Sequence, residues 1–218
     1  MNLYLPAYKK SDPKNYSAAL EYSKKAFASS DPQKMGNKSG ASFDKEAGNF
    51  VLRSLGHVFS VKYPEGWVKF QGLELEPHFI LQIIFINYLA RADGIPLTCR
   101  FITYRDLPGG EVFYSAFYRT AIKPLAQTFG RDPKRLTVPA AYLGGEVVED
   151  KTRAEVNFWF LPRVPLRYLV WSGDDEIESR ANILFDSSAG SYLYTEDLAG
   201  AGSYLTDCLT ELFKNCLV

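Results

Sequence analysis

Two short stretches collect residue types that can do chemistry. The first is Asp106-Leu107-Pro108-Gly109-Gly110-Glu111. Two glycines just before a helical run leave backbone N–H groups free, and those groups with the helix dipole can hold an anion. Arg105 adds a positive charge beside them. No GK[ST] follows, so this is not a nucleotide-binding P-loop, and there is no GxGxxG. The competing reading is a strand-to-helix turn that needs φ above zero. The second stretch is Gly173-Asp174-Asp175-Glu176, with Glu178 and Asp186 nearby. Clustered carboxylates bind Ca²⁺ or Mg²⁺, or act as an acid/base pair. The spacing lacks the alternation and central glycine of an EF-hand, and a solvated turn between two strands is the simpler account. Asp106, Asp174, Glu176 and Asp186 are the weak catalytic candidates. Trp171, next to the acidic loop, offers a ring face for a flat ligand.

Other chemistry is thin. The two histidines are His57, at a strand start, and His78, in the first turn of a helix, where the dipole favours neutral imidazole. The three cysteines, Cys99, Cys208 and Cys216, form no CxxC pair and no zinc spacing. Cys208 and Cys216 share a helix face and Cys99 falls in an expected strand, so all three read as buried small hydrophobes. No GxSxG surrounds Ser172. Thr195-Glu196-Asp197-Leu198 has the form of a helix cap, with Thr195 as the capping hydroxyl.

These residues need elements to position them. Residues 1–14 read as an extended lead-in, and Asn15 as the cap of a helix carrying Tyr16, Ala19, Leu20 and Phe27 on one face. Ser29–Ala41 has no periodicity and reads as a mobile loop. Phe50–Leu52, His57–Tyr63 and Trp67–Phe70 read as a meander of short strands, turned at Pro64-Glu65-Gly66. Pro77 opens a helix to about Ala92 that is apolar nearly all round, the pattern of a central core helix. A strand follows over Leu97–Tyr104. A helix over 111–122 is then interrupted by Pro124, and helical structure restarts at Asp132-Pro133. Strands at 154–160, 166–171 and 182–185 precede a last helix over 202–216. The order is not a regular alternation. The expected fold is α+β: a mixed or antiparallel sheet of short strands packed against a buried central helix and further helices. Residues 1–44 are expected to form an N-terminal helix and mobile loop packed on a single domain of residues 45–218.

With 25 basic and 25 acidic residues the charge balances, and no long basic run exists to neutralise phosphates, which argues against nucleic acid. The longest apolar run, Phe79–Leu89, is too short to span a bilayer. MNLYLPAYKKSDPK has no apolar core of a secretory signal, and sparse cysteines fit a reduced compartment, so a cytoplasmic protein is expected. Aromatics make up 15% of the chain. Rings at that density serve either a core or a pocket for a flat molecule.

A wider set of motifs is more specific. It comprises Tyr88-Leu89 with Gly94-Ile95-Pro96-Leu97, Tyr104 to Gly110, Leu143-Gly144-Gly145, Pro162 to Leu166, Trp171 with Gly173 to Glu176, Ile183 to Asp186, and Tyr192 to Asp197. Together they resemble an uncharacterised bacterial family, domain of unknown function 3786, over most of the chain beyond about residue 48. The resemblance implies an anaerobic setting. Fusions of relatives to cysteine-rich iron–sulfur modules imply corrinoid or redox metabolism. This chain has no cysteine cluster, so the iron–sulfur role does not carry over, and Tyr194 stands where the family pattern leads one to expect proline.

The leading expectation is a binding or accessory protein for a small anionic or flat ligand, held near Arg105, Gly109, Gly110 and Trp171. The alternatives are an enzyme using carboxylate acid/base chemistry, and an interaction module that docks a redox protein. No cofactor is named by the residues.

Overall fold

The computed structural model describes residues 17–150, 152–174 and 176–216. The lead-in, Asn15 and Asp175 lie outside them, as does the side chain of Cys216. The chain is α+β, with two antiparallel sheets and a helical layer. β1 (Ser42–Asp44), β2 (Asn49–Ser54), β3 (His57–Lys62) and β4 (Trp67–Phe70) form a meander in that order. β5 (Phe101–Thr103), β6 (Glu146–Val148), β7 (Ala154–Leu161), β8 (Val164–Trp171) and β9 (Arg180–Asp186) form a second sheet, ordered β5-β9-β8-β7-β6.

Alternation along these strands sends every second residue inward. In the second sheet Val156, Phe158, Phe160, Leu166, Tyr168, Val170, Ile183 and Phe185 are fully buried. In the meander the same holds for Phe50, Leu52 and Val61. Both inner faces join one apolar cluster. At its centre is α3 (Phe79–Arg91), whose Ile84, Phe85, Ile86, Tyr88 and Leu89 have no exposure. His78 caps it, its Nδ1 accepting from the Ile80 N–H, and burial lowers the imidazole pKa. α1 (Ser17–Ala28) adds Phe27 to the same cluster.

Four departures from the sequence reading have plain causes. Ser29–Ala41 is not a loop throughout. α2 spans Pro32–Ser39, capped by Asp31, opened by Pro32 and closed by Gly40 at φ 75°. Its ends carry the helical signal, and its short apolar face, with Met35 buried, is too sparse to give a period. The strand expected over Leu97–Tyr104 shrinks to β5. Thr98 turns its backbone and hydroxyl to Asp186, and Cys99 takes φ 56° and is exposed, so this stretch cannot pleat. The last helix, α7, spans Thr195–Cys216 and starts earlier than expected. Thr195 does not cap it; its hydroxyl donates to the Pro108 carbonyl, and Asp197 accepts from the Tyr194 N–H instead. β1 and β6 are edge strands of three residues each, too short to show a period.

The remaining helices are α4 (Gly110–Phe117), α5 (Lys123–Phe129) and α6 (Thr137–Tyr142). A π turn over Tyr118–Ile122 joins α4 to α5 immediately before Pro124, whose missing N–H cannot close an ordinary turn. α4 to α7 cover the inner face of the second sheet through contacts of α5 with β8 and β9, of α6 with β7, and of the Tyr168 hydroxyl with Gly202. Among the described residues no helix is long and apolar enough to cross a membrane.

Candidate functional site

The glycine turn is tied up in its own chain. Gly109 has φ 76°, and a Cβ on Gly110 would stand 1.9 Å from the Tyr104 carbonyl oxygen. The two glycines therefore answer two separate steric demands. The Gly110 N–H donates to Leu107, and Arg105 lies over the Tyr114 ring at 3.8 Å with Glu111 3.6 Å away. Asp106 accepts from the Thr103 N–H and hydroxyl, which hold its carboxyl below the usual carboxylate range. The acidic loop is similarly engaged. Asp174 accepts from the Ile177 and Glu176 N–H groups, which lower its pKa, while Glu176 is exposed. The loop is fastened to the α5 end through Gly173 to Gly130 and Ser179 to Ala126, whereas the glycine turn is fastened to Thr195. Asp106, Asp174 and Asp186 thus serve three different turns.

The second sheet has a face that its helices leave uncovered. It carries the residues between the buried ones: Glu155, Asn157 and Trp159 on β7, Pro165, Arg167, Leu169 and Trp171 on β8, and Leu184 and Asp186 on β9. Phe101 of β5 pairs with Asp186, and Glu146 of β6 with Asn157. A cavity of about 250 Å³ opens here. Leu97, Phe101, Trp159 and Pro165 give it apolar walls, while Glu146, Asn157, Arg167 and Asp186 supply polar groups; Cys99 also lines it.

Two larger hollows exist, about 310 Å³ over the meander beside Trp67 and about 580 Å³ beside the π turn and the acidic loop. The smaller one differs in kind. Among the described residues three buried side-chain polar atoms have no hydrogen-bond partner, those of Ser54, Arg91 and Asp186, and only Asp186 lines one of these three hollows.

Asp186 is built to be ionised. Its Oδ1 accepts from the Thr98 N–H (3.1 Å) and hydroxyl (2.8 Å), and from the Ser188 N–H (2.9 Å) and hydroxyl (2.6 Å). Burial opposes the charge, but these four donors outweigh it and hold the pKa below the ordinary value. Its Oδ2 is buried and unpaired, in a residue that is 1% exposed. An unsatisfied buried polar atom costs about 1–3 kcal/mol, more when charged, so this oxygen, on a residue that lines the cavity, calls for an explanation.

The other polar groups are held in place. Arg167 donates from Nε to Asn157 Oδ1 at 2.8 Å, pairs through Nη1 with Glu155 at 3.2 Å and lies 4.1 Å over the Phe101 ring. Glu155, nearly buried, is also bound by Arg153, which reaches Asp150 as well. Two cations and two anions close that network. Trp159, 47% exposed, donates its indole N–H to Glu146 at 3.2 Å. Rings, a fixed guanidinium and a buried carboxylate therefore line one small cavity, the usual make-up of a small-molecule pocket.

Of the residues singled out from the sequence, Asp186 lies in this cavity. Trp171 shares the uncovered face but stands at the hairpin end of β8, near Arg153. Arg105, Gly109 and Gly110 lie in the turn after β5. Phe101, Asn157, Trp159 and Arg167 were missed. For Asn157, Trp159 and Arg167 the two-faced strands were visible as polar residues alternating with apolar ones in Glu155-Val156-Asn157-Phe158-Trp159 and Pro165-Leu166-Arg167-Tyr168, but not the cavity that joins them to Phe101. Among the described residues no three His, Cys, Asp or Glu side chains form a group that could hold a metal ion.

A family model described as Domain of unknown function (DUF3786) matches residues 31–207. No curated protein and no solved structure matches the chain.

Proposed function

The chain belongs to the domain-of-unknown-function family 3786, and from that premise we propose that it is a small-molecule binding protein whose site is the cavity on the uncovered face of the second sheet. The observation that carries this reading is a cavity walled by Phe101 and Trp159 and lined by Asp186, a buried carboxylate with one oxygen left unpartnered. An apolar cavity of roughly 150 Å³ already accepts a benzene ring, so about 250 Å³ has room for a one-ring ligand with substituents. In the setting implied by the family resemblance, corrinoid or redox metabolism in the cytoplasm of anaerobic bacteria, the chain would act as an accessory that carries or senses such a molecule. The acid/base reading draws less support, because Asp106, Asp174 and Asp186 all have lowered pKa values and a general acid needs a raised one.

The test uses the indole N–H signals of the three tryptophans in a nitrogen–proton correlation spectrum. One-ring fragments are expected to move the Trp159 signal and leave Trp67, on the other sheet, in place. Fragments that leave Trp159 unmoved, or that move Trp67 equally, would overturn the reading.

A further inference from the structure

The charge around the cavity narrows the ligand class. Three charged side chains line it: Glu146, Arg167 and Asp186. Arg167 pairs with Glu155 and is held by Asn157, and together with Glu155, Arg153 and Asp150 it makes a network of two cations and two anions, so its charge is matched there. Asp186 is held by neutral donors alone, those of Thr98 and Ser188. Arg100, adjacent in sequence, lends its charge to Asp106 instead. Among the described residues, Glu146 is met by a neutral indole N–H. Among the described residues, two carboxylates, one with an oxygen that lacks any donor, therefore border a ring-lined space without a cation paired to them. Rings and a carboxylate together favour a flat cation, which gains both the ring quadrupole and the ion pair.

Resting on the binding reading above, we infer that the ligand is a planar organic cation of the amidinium or protonated aminoheterocycle class, its N–H groups set toward the Glu146 and Asp186 carboxylates and its ring lying by Trp159. An anionic ligand would place its charge against Glu146 and Asp186, so this cavity disfavours an anion.

The probes are benzamidine, which is cationic at neutral pH, its neutral analogue benzamide, and benzoate. Each is titrated while following the Trp159 indole signal. Benzamidine is expected to bind at least about tenfold more tightly than benzamide, the loss of one charge-assisted hydrogen bond, with benzoate weakest. Asp186→Asn keeps an Oδ1 for the four donors from Thr98 and Ser188 and removes the charge, so it should bring the benzamidine-to-benzamide ratio down to about the threefold share that Glu146 supplies. If that variant melts early, Glu146→Gln on the edge strand provides the second reading, with a loss of about threefold in the same ratio expected for a more exposed charge. Benzamide and benzoate binding as tightly as benzamidine would overturn the ligand class and leave the cavity standing as a ring-binding site. No binding by any of the three would overturn the cavity reading and the class with it.

Discussion

The two faces of the second sheet are made by the same strands and obey different rules. On the covered face Val156, Phe158, Phe160, Leu166, Tyr168 and Val170 are fully buried and their contacts explain them completely. On the uncovered face their immediate neighbours, Glu155, Asn157, Trp159, Pro165 and Arg167, include charges, an exposed indole and a cavity. Packing alone would have asked for short polar residues there. The difference teaches that residues which fold the chain and residues left free for another role can alternate one by one, because a strand turns successive side chains to opposite sides.

The strongest way to break this contrast is to compare neighbours. Phe158→Ala should cost about 3–5 kcal/mol in a urea melt, from lost burial and the cavity left behind. Trp159→Ala should cost under about 1 kcal/mol, as exposed positions usually do, and should abolish the ring-fragment response. Equal losses of stability would make the uncovered face a structural one.

A second experiment sharpens the contrast between polar groups. Asp186 is ionised by four donors, whereas Asp197, buried between α3 and α7, has its pKa pushed up to about 6 by burial, against which the Asn87 amide and the Tyr194 N–H work only partly. A carboxyl whose folded pKa is raised binds its proton more tightly in the native state. Stability should therefore fall as pH rises from about 4 to about 6 and level off above that, by up to about 3 kcal/mol. Asp197→Asn should flatten that part of a pH series of melts. An unchanged slope would assign it to other groups.

The smallest effect concerns the glycine turn. Gly109→Ala meets open space and should cost about 1 kcal/mol, for φ 76° alone. Gly110→Ala meets the Tyr104 carbonyl and should cost clearly more. Equal costs from thermal melts would contradict the separate roles given to the two glycines.

Long periodic elements were legible before any coordinates. α3 announced itself by an apolar run with Pro77 in front, and the meander by Pro64-Glu65-Gly66. The α+β class followed from the irregular order of elements. What stayed hidden depends on contacts distant in sequence. Thr98 leaves the strand path because Asp186 lies beside it, 88 positions away in the chain. α2 is specified by its ends more than by its face. The cavity joins Leu97, Phe101, Glu146, Asn157, Arg167 and Asp186 from separate segments, so no local spacing could reveal it. The Gly109-Gly110 motif, by contrast, was conspicuous locally, and its neighbours account for it by sterics.

The buried tyrosines have a further consequence. Tyr88, Tyr104, Tyr168 and Tyr192 are fully buried, and each hydroxyl donates to a backbone carbonyl elsewhere: Ser39, Thr195, Gly202 and Ile95 respectively. Burial raises the phenol pKa of all four, Tyr104 to about 12 and Tyr88 and Tyr168 beyond ordinary alkaline titration. Phenolate absorbs in the near ultraviolet where phenol does not. The chain therefore carries an optical gauge of its own integrity: exposed tyrosines colour smoothly with added base, and the interior ones join abruptly only when the core opens.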